Sequence, residues 1–329
     1  MSRGRRKFDR SSCLAESLES RRLLATFVVT NTTDSDPGSL RVAINNANNA
    51  GGSDAISFSL GAGSKTINLL SALPDITGPV LLDATTQPGF SGTPMIELKP
   101  TGASGANGIH LVSGANGTTI KGLIINRFGG FGISDESSGG NLIQGNYIGT
   151  DAAGNADRGN GQGGIFVAGN GTVIGGEIAA QRNIVSGNDG PGIQLDGNNN
   201  TVLGNFIGLK SDGAGSLGND EAGVFVDGSG NAIGGTRAGQ TNFIAFNDGA
   251  GIQLHDNDAN VHNPIRRNSI FSNGGLGIDI FPAGSNDNDS GDGDSGANNR
   301  LNYPVISSVV TDNSTSTAKG SLSAEPNQT

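Results

Sequence analysis

Apolar residues in this chain come in short runs separated by Gly and Asn, and the runs recur. Gly followed by Ile or Val starts a unit at Gly108, Gly132, Gly164, Gly192, Gly223, Gly251 and Gly277, at similar though unequal intervals. Longer phrases return at a fixed offset of two units: NIVSGNDGPGIQL from Asn183 to Leu195 is echoed by NFIAFNDGAGIQL from Asn242 to Leu254. A held period of this kind marks a repeat architecture. The unit beginning at Gly192 contains three apolar runs, Ile193 to Leu195, Val202 to Leu203 and Phe206 to Ile207. Runs so short are strands rather than helices, and Gly and Asn suit the corners between them. Three strands and three corners per unit predict an all-β fold, a single-stranded right-handed parallel β-helix. Its coils would lie about 4.8 Å apart, and the hand follows from the crossover preference of parallel strands.

Alternation along the first strand of each unit sorts its side chains. Ile109, Ile133, Ile165, Ile193, Val224, Ile252 and Ile278 form one inward column. Leu111, Asp135, Val167, Leu195, Val226, Leu254 and Ile280 form the other, aliphatic except at Asp135. Between them His110, Ser134, Phe166, Gln194, Phe225, Gln253 and Asp279 are predicted to face out. Asn146, Asn183, Asn205, Asn242 and Asn268 open the third strands, and Asn188, Asn247 and Asn273 follow them. This column is either a ladder of amides bonded coil to coil or a turn-forming preference.

Ser39 is an N-cap candidate for a helix reaching Ala50, with Leu40, Val42, Ala43 and Ile44 apolar and Gly51-Gly52 as a stop. Such a helix would plug the open end of the solenoid. The expected organisation is a basic leader over 1–24, the cap and first coils over 25–107, regular coils over 108–285, an acidic linker over 286–304, and over 305–329 the start of another β module in a longer chain.

Composition adds limits. The chain has 329 residues, 56 of them Gly, no Trp, and 15% charged residues. That argues against one large globular core, whereas each coil needs only a small aliphatic layer. Residues 1–24 carry a net +4 and the rest −14, giving −10 overall. An acidic body without a basic stripe excludes a nucleic-acid partner. The single cysteine, Cys13, rules out an intrachain disulfide. No run reaches the ~18 apolar residues of a spanning helix, and the run from Leu23 to Val29 is short for an ordinary signal peptide.

Several phrases carry a resemblance. AESLESRRLLA, from Ala15 to Ala25, resembles the leader of large planctomycete surface and exported proteins. The segments Phe27 to Asn48, Leu73 to Leu98, Asn146 to Asn155 and Asn286 to Ile306 resemble phrases of bacterial right-handed β-helix proteins. The resemblance implies a pectate-lyase-like fold and export or surface display, and it carries no activity. Hydrolases of that fold use Asn-Thr-Asp, Asp-Asp, Gly-His-Gly and Arg-Ile-Lys phrases, none of which occurs here. Lyases need a Lys or Arg base, and none falls in the outward column.

No residue is therefore assigned as catalytic, and three candidate sites remain. Asp196, Asp227 and His255, each four residues after its Gly, are expected in one row. The row could hold Ca²⁺ or a sugar, do acid–base work, or be solvated corner residues. Phe166 and Phe225 offer aromatic faces beside Gln194 and Gln253, as sugar sites do, unless the loops 149–163 and 208–222 fold over them. Asp287, Asp289, Asp292 and Asp294 crowd one Gly-rich segment, which reads as a Ca²⁺ loop or as a soluble linker. Ca²⁺ is the only cofactor the residues suggest. His110 and His262 have no acids at useful sequence spacing and receive no role. The functional expectation is an exported or cell-surface scaffold with a polysaccharide or surface glycan as partner, monomeric and part of a longer multidomain chain. The alternative is a polysaccharide-active enzyme of the same fold.

Overall fold

The computed structural model describes residues 24–102, 105–255, 260–282, 284–289, 295–300, 304–312 and 315–323. The chain winds as a parallel β-solenoid with three sheets. Sheet A has nine strands, from Thr26–Val29 to Ile265–Arg266, sheet B eight, from Lys65–Leu69 to Ser269–Phe271, and sheet C seven, from Ile109–Leu111 to Ile278–Ile280. All seven repeat starts align in sheet C, with Ile109, Ile133, Ile165, Ile193, Val224, Ile252 and Ile278 as successive partners.

The inward columns are buried, as alternation requires, except in the last coil. There Ile278 is 43% exposed and Ile280 half-buried, because theirs is the end strand of sheet C and no further strand stacks beyond it among the described residues. From Ile133 to Ile252 in one and from Leu111 to Leu254 in the other, every member is fully enclosed. Asp135 lies in this stack too. Its Oδ1 accepts the Ser137 hydroxyl at 2.6 Å, and its Oδ2 accepts the Asn141 amide at 2.8 Å and the Thr172 hydroxyl at 2.9 Å. A buried carboxylate is tolerable only when so served. The outward column holds for His110, Phe166, Gln194, Phe225 and Gln253, which are half-buried. Ser134 and Asp279 are buried instead.

The asparagines form ladders. Nδ2 of Asn146, Asn183, Asn205 and Asn242 donates to Oδ1 of the next at 3.1, 3.0, 3.1 and 2.9 Å, ending on Asn268. A second ladder runs Asn160, Asn188, Asn219, Asn247, Asn273 with steps of 2.8 to 2.9 Å. At a third corner Oδ1 of Asn200, Asn231 and Asn263 takes a backbone N–H of the coil before. None of these residues has positive φ, so turn preference does not explain them. Where one of these corners takes positive φ, it falls on the residue before the Asn: Gly at some, as at Gly204 with φ 71°, and a non-glycine at others, as at Phe246 with φ 64° and Arg267 with φ 55°. Gly192 serves another purpose. A Cβ there would meet the Gly223 carbonyl, Asn219 Nδ2 and the Ile207 side chain at 2.7 to 2.9 Å. The repeat begins with Gly because the ladder amide passes that close.

A helix, Leu40–Ala50, closes the N-terminal end. Ser39 Oγ accepts the Val42 N–H at 3.3 Å, and Leu40, Ala43, Ile44 and Ala47 are buried. The buried face thus contains Ala47 rather than Val42, following the i, i+3, i+4, i+7 stripe. Arg41 holds the helix to the first coils through Asp34 at 2.6 Å and the Ser71 carbonyl at 2.9 Å. Near the other end a short turn, Ala297–Arg300, buries Ala297 in the core, and Asn298 Oδ1 accepts the Asn263 N–H at 2.9 Å. Val305–Thr311 and Ser316–Ser321 form an antiparallel hairpin whose residues are exposed.

Candidate ligand-binding face

The outer face of sheet C presents the predicted ligand residues. Phe166, Gln194, Phe225 and Gln253 are register partners on four consecutive coils. The two Phe side chains are therefore two rungs apart, roughly 9–10 Å. Phe166 stacks on Phe131 with ring centroids 5.2 Å apart and planes at 23°. The Phe225 ring lies 5.6 Å from the His255 ring, which is 6.2 Å from Phe281.

The loops expected to cover these rings lie elsewhere. Each makes a small hairpin, through Thr150 with Asp157 and Leu209 with Ser216. The Ser211 hydroxyl of one donates to the Ala153 carbonyl of the other at 2.8 Å. Gly154 faces the Tyr147 ring and Gly213 the Phe206 ring so closely that a Cβ would clash. Those rings belong to sheet B. There Leu209, Ile184, Phe206 and Ala245 form a separate apolar cluster flanked by Tyr147, Phe243 and Phe246. The Arg182 guanidinium lies 4.0 Å over the Phe206 ring, and burial lowers its pKa. Phe166 and Phe225 keep half-exposed edges on sheet C.

The row of Asp196, Asp227 and His255 divides. His255 Nδ1 meets Asp227 Oδ1 at 3.1 Å, while Asp196 Oδ1 accepts the Gln194 amide of its own coil at 3.0 Å. Asp227, His255 and Phe225 thus form one polar-aromatic group, with Gln194 and Asp196 a rung away. Of the acidic segment, Asp287 and Asp289 are described, whereas Asp292 and Asp294 lie outside the described residues. Among the described residues no group of three His, Cys, Asp or Glu side chains has metal-site geometry.

Two clusters escaped the sequence reading. His110, left without a role, sits between acids: Nδ1 is 2.9 Å from Asp75 Oδ1, and Nε2 is 3.2 Å from Glu136 Oε1. The second contact is close enough for an ion pair with a protonated ring, though it lacks hydrogen-bond alignment. Glu136 also accepts the Ser134 hydroxyl at 3.1 Å. Both acids are distant from His110 in sequence, but they sit on adjacent coils, which stacking the units would have revealed. The other cluster is acidic. Asp189, Asp220 and Asp248 each follow an Asn of the second ladder. Burial, then the charges of Asp189, Asp248 and Asp157, push the Asp220 carboxyl up from its ordinary value.

Fold and face together define a parallel β-helix bearing an aromatic and amide-lined outer sheet. No protein-family model matches the chain, and no curated protein matches it. Among the described residues no helix is long and apolar enough to cross a membrane.

Proposed function

We propose that this protein is an exported or cell-surface β-helix scaffold whose sheet C outer face binds a polysaccharide or surface glycan. The observation that carries the reading is the line of half-exposed rings, Phe131, Phe166 and Phe225, interleaved with Gln194, Gln253, Asp196 and the Asp227–His255 pair on one rigid sheet. Aromatic faces take the apolar side of sugar rings, and amides and carboxylates take their hydroxyls. Strands hydrogen-bonded on both sides fix the spacing, so little ordering entropy is lost on binding. The resemblance of the leader and of the coil phrases to exported planctomycete β-helix proteins supports surface display. A glycan array probed with the full-length protein, with and without Ca²⁺, tests the proposal. Retention of an extended neutral or acidic polysaccharide supports it, and retention of none rejects it.

The second reading, a polysaccharide-active enzyme, draws on the imidazole–carboxylate contacts of His255 with Asp227 and of His110 with Asp75 and Glu136. Such pairs serve acid–base chemistry. New unsaturated uronate ends or new reducing ends, appearing in a polysaccharide incubated with the protein, would favour it over simple binding.

A further inference from the structure

Asp54 opens the second strand of sheet A, and its side chain is buried, with 1% exposure. Oδ1 accepts the Ala25 backbone N–H at 3.0 Å. Oδ2 is enclosed and has no hydrogen-bond partner among the described residues. No Lys, Arg or His among them pairs with it. Asp135, equally buried, shows what a buried carboxylate ordinarily has here, namely donors on both oxygens. A carboxylate taken out of water is costly unless it is paired and fully bonded. Asp54 has half of such a set, and the nitrogen it already holds is one that a single peptide cleavage turns into a cation.

On the far side of that peptide bond, the Leu24 side chain is 67% exposed. Ala25 itself is paired into sheet A, where its carbonyl accepts the Ala55 N–H at 2.8 Å. We propose that the Leu24–Ala25 bond is a processing site, and that Asp54 is the receptor for the α-ammonium that cleavage creates. In the hydrolysis the hydroxyl of water adds to the Leu24 carbonyl carbon and the C–N bond breaks. The Ala25 nitrogen takes the remaining proton of that water and one more from solvent. The resulting –NH₃⁺ has three donors. It keeps the bond to Oδ1 and can supply the charge-assisted bond that Oδ2 lacks. The new ion pair would fasten the first strand, Thr26–Val29, to its neighbour at the register of Thr26 with Ala55. Removal of the basic leader would then be felt as a locked first coil.

The test uses full-length protein in which the residues just before Ala25 are replaced by a site-specific protease sequence, so that the cut leaves Ala25 first. One preparation is compared before and after cutting. The expected result is a rise in Tm of about 3–6 °C on cutting. The Ala25 α-amine, followed by NMR, should titrate above its ordinary value of about 7.7–8.0. A raised amine pKa stabilises below the unfolded value, so the gain should fade as pH climbs through the folded one. Asp54→Asn should abolish both effects. If that variant does not fold, selective acetylation of the new N-terminus should abolish the gain with Asp54 intact. N-terminal sequencing of protein from the producing cells should begin at Ala25. An unchanged Tm with an ordinary amine titration, or a mature N-terminus elsewhere, overturns the proposal.

Discussion

Replacing Asn205 with Ala tests what holds the coils together. Asn205 is a fully buried inner rung of the first ladder. Its Oδ1 accepts the Asn183 N–H at 3.1 Å and Asn183 Nδ2 at 3.0 Å. Its Nδ2 donates to the Ile174 carbonyl at 2.9 Å, to Asn242 Oδ1 at 3.1 Å and to the Leu203 carbonyl at 3.0 Å, which also keeps the Gly176 N–H at 3.0 Å. After truncation, Asn183 Nδ2 keeps the Ile143 carbonyl at 2.8 Å, and Asn242 Oδ1 keeps the Asn205 N–H at 3.0 Å. The Asn183 N–H and the Ile174 carbonyl lose the amide, in a place water does not reach. Each stranded group costs about 1–3 kcal/mol, so with the small void the loss should be about 3–5 kcal/mol. Asn268 is the half-buried last rung, which accepts from Asn242 at 2.9 Å and donates to the Ile233 carbonyl at 2.8 Å. Its truncation should cost only about 1–2 kcal/mol, because water can replace the lost partners. Urea unfolding followed by circular dichroism measures the difference. Hydrogen exchange should place the loss in the coils flanking residue 205, since solenoid stability is carried by neighbouring units. If both variants fall within ~0.5 kcal/mol of wild type, the ladder contributes nothing beyond an ordinary surface residue, and the reasoning fails.

Other consequences follow from single residues. Ile193→Asp puts a charge into the dry stack, where Ile193 is 0% exposed, and should cost more than about 4 kcal/mol; a folded protein with wild-type melting would place that side chain outside. Burial, and then repulsion by neighbouring acids, raises the Asp220 carboxyl pKa, so both weigh on the fold at neutral pH and are relieved as pH falls through that raised value towards the unfolded one. Asp220→Asn should therefore stabilise the fold slightly at pH 7, by about a few tenths of a kcal/mol after screening and less in high salt, seen as a slightly higher Tm; a lowered Tm contradicts this. We also propose that the segment with Asp287, Asp289, Asp292 and Asp294 takes Ca²⁺. Calorimetry should then show binding that Asp289→Asn weakens, whereas absent heat and an unshifted melt at millimolar Ca²⁺ would leave a plain linker.

The sheet C columns were legible because alternation and a repeated Gly fix which side chains point inward. Ile193 and Leu195 could be placed without any contact being known. The ladder residues could be seen as a column, but sequence could not separate hydrogen bonding from turn preference; φ values settled that. Asn160 and Asn219 were missed although they hold equivalent places two units apart, because they sit in loops of otherwise different sequence. The loops were misplaced for a different reason. Sequence adjacency to Phe166 and Phe225 suggested cover, but Tyr147 and Phe206, just before those loops, offered the nearer apolar surface. His110 was passed over because its acids approach only through coil stacking. Asp54 carried no signal at all, since its meaning depends on which backbone nitrogen lies beside it.

The proposed glycan face is tested most directly by affinity for an oligosaccharide length series drawn from whichever polysaccharide the array retains. Titrations would compare wild type, Phe166→Ala, Phe225→Ala and a control, Leu81→Ala, on the outer side of sheet A, where Leu81 is 37% exposed. The account predicts affinity that rises with length until the chain spans both rings. It also predicts a loss of about tenfold or more for each Phe variant, as expected for removing a contact worth about 1.4 kcal/mol, with the control unchanged. Equal affinity across all four proteins, or a length dependence that stops at a single sugar, would contradict it.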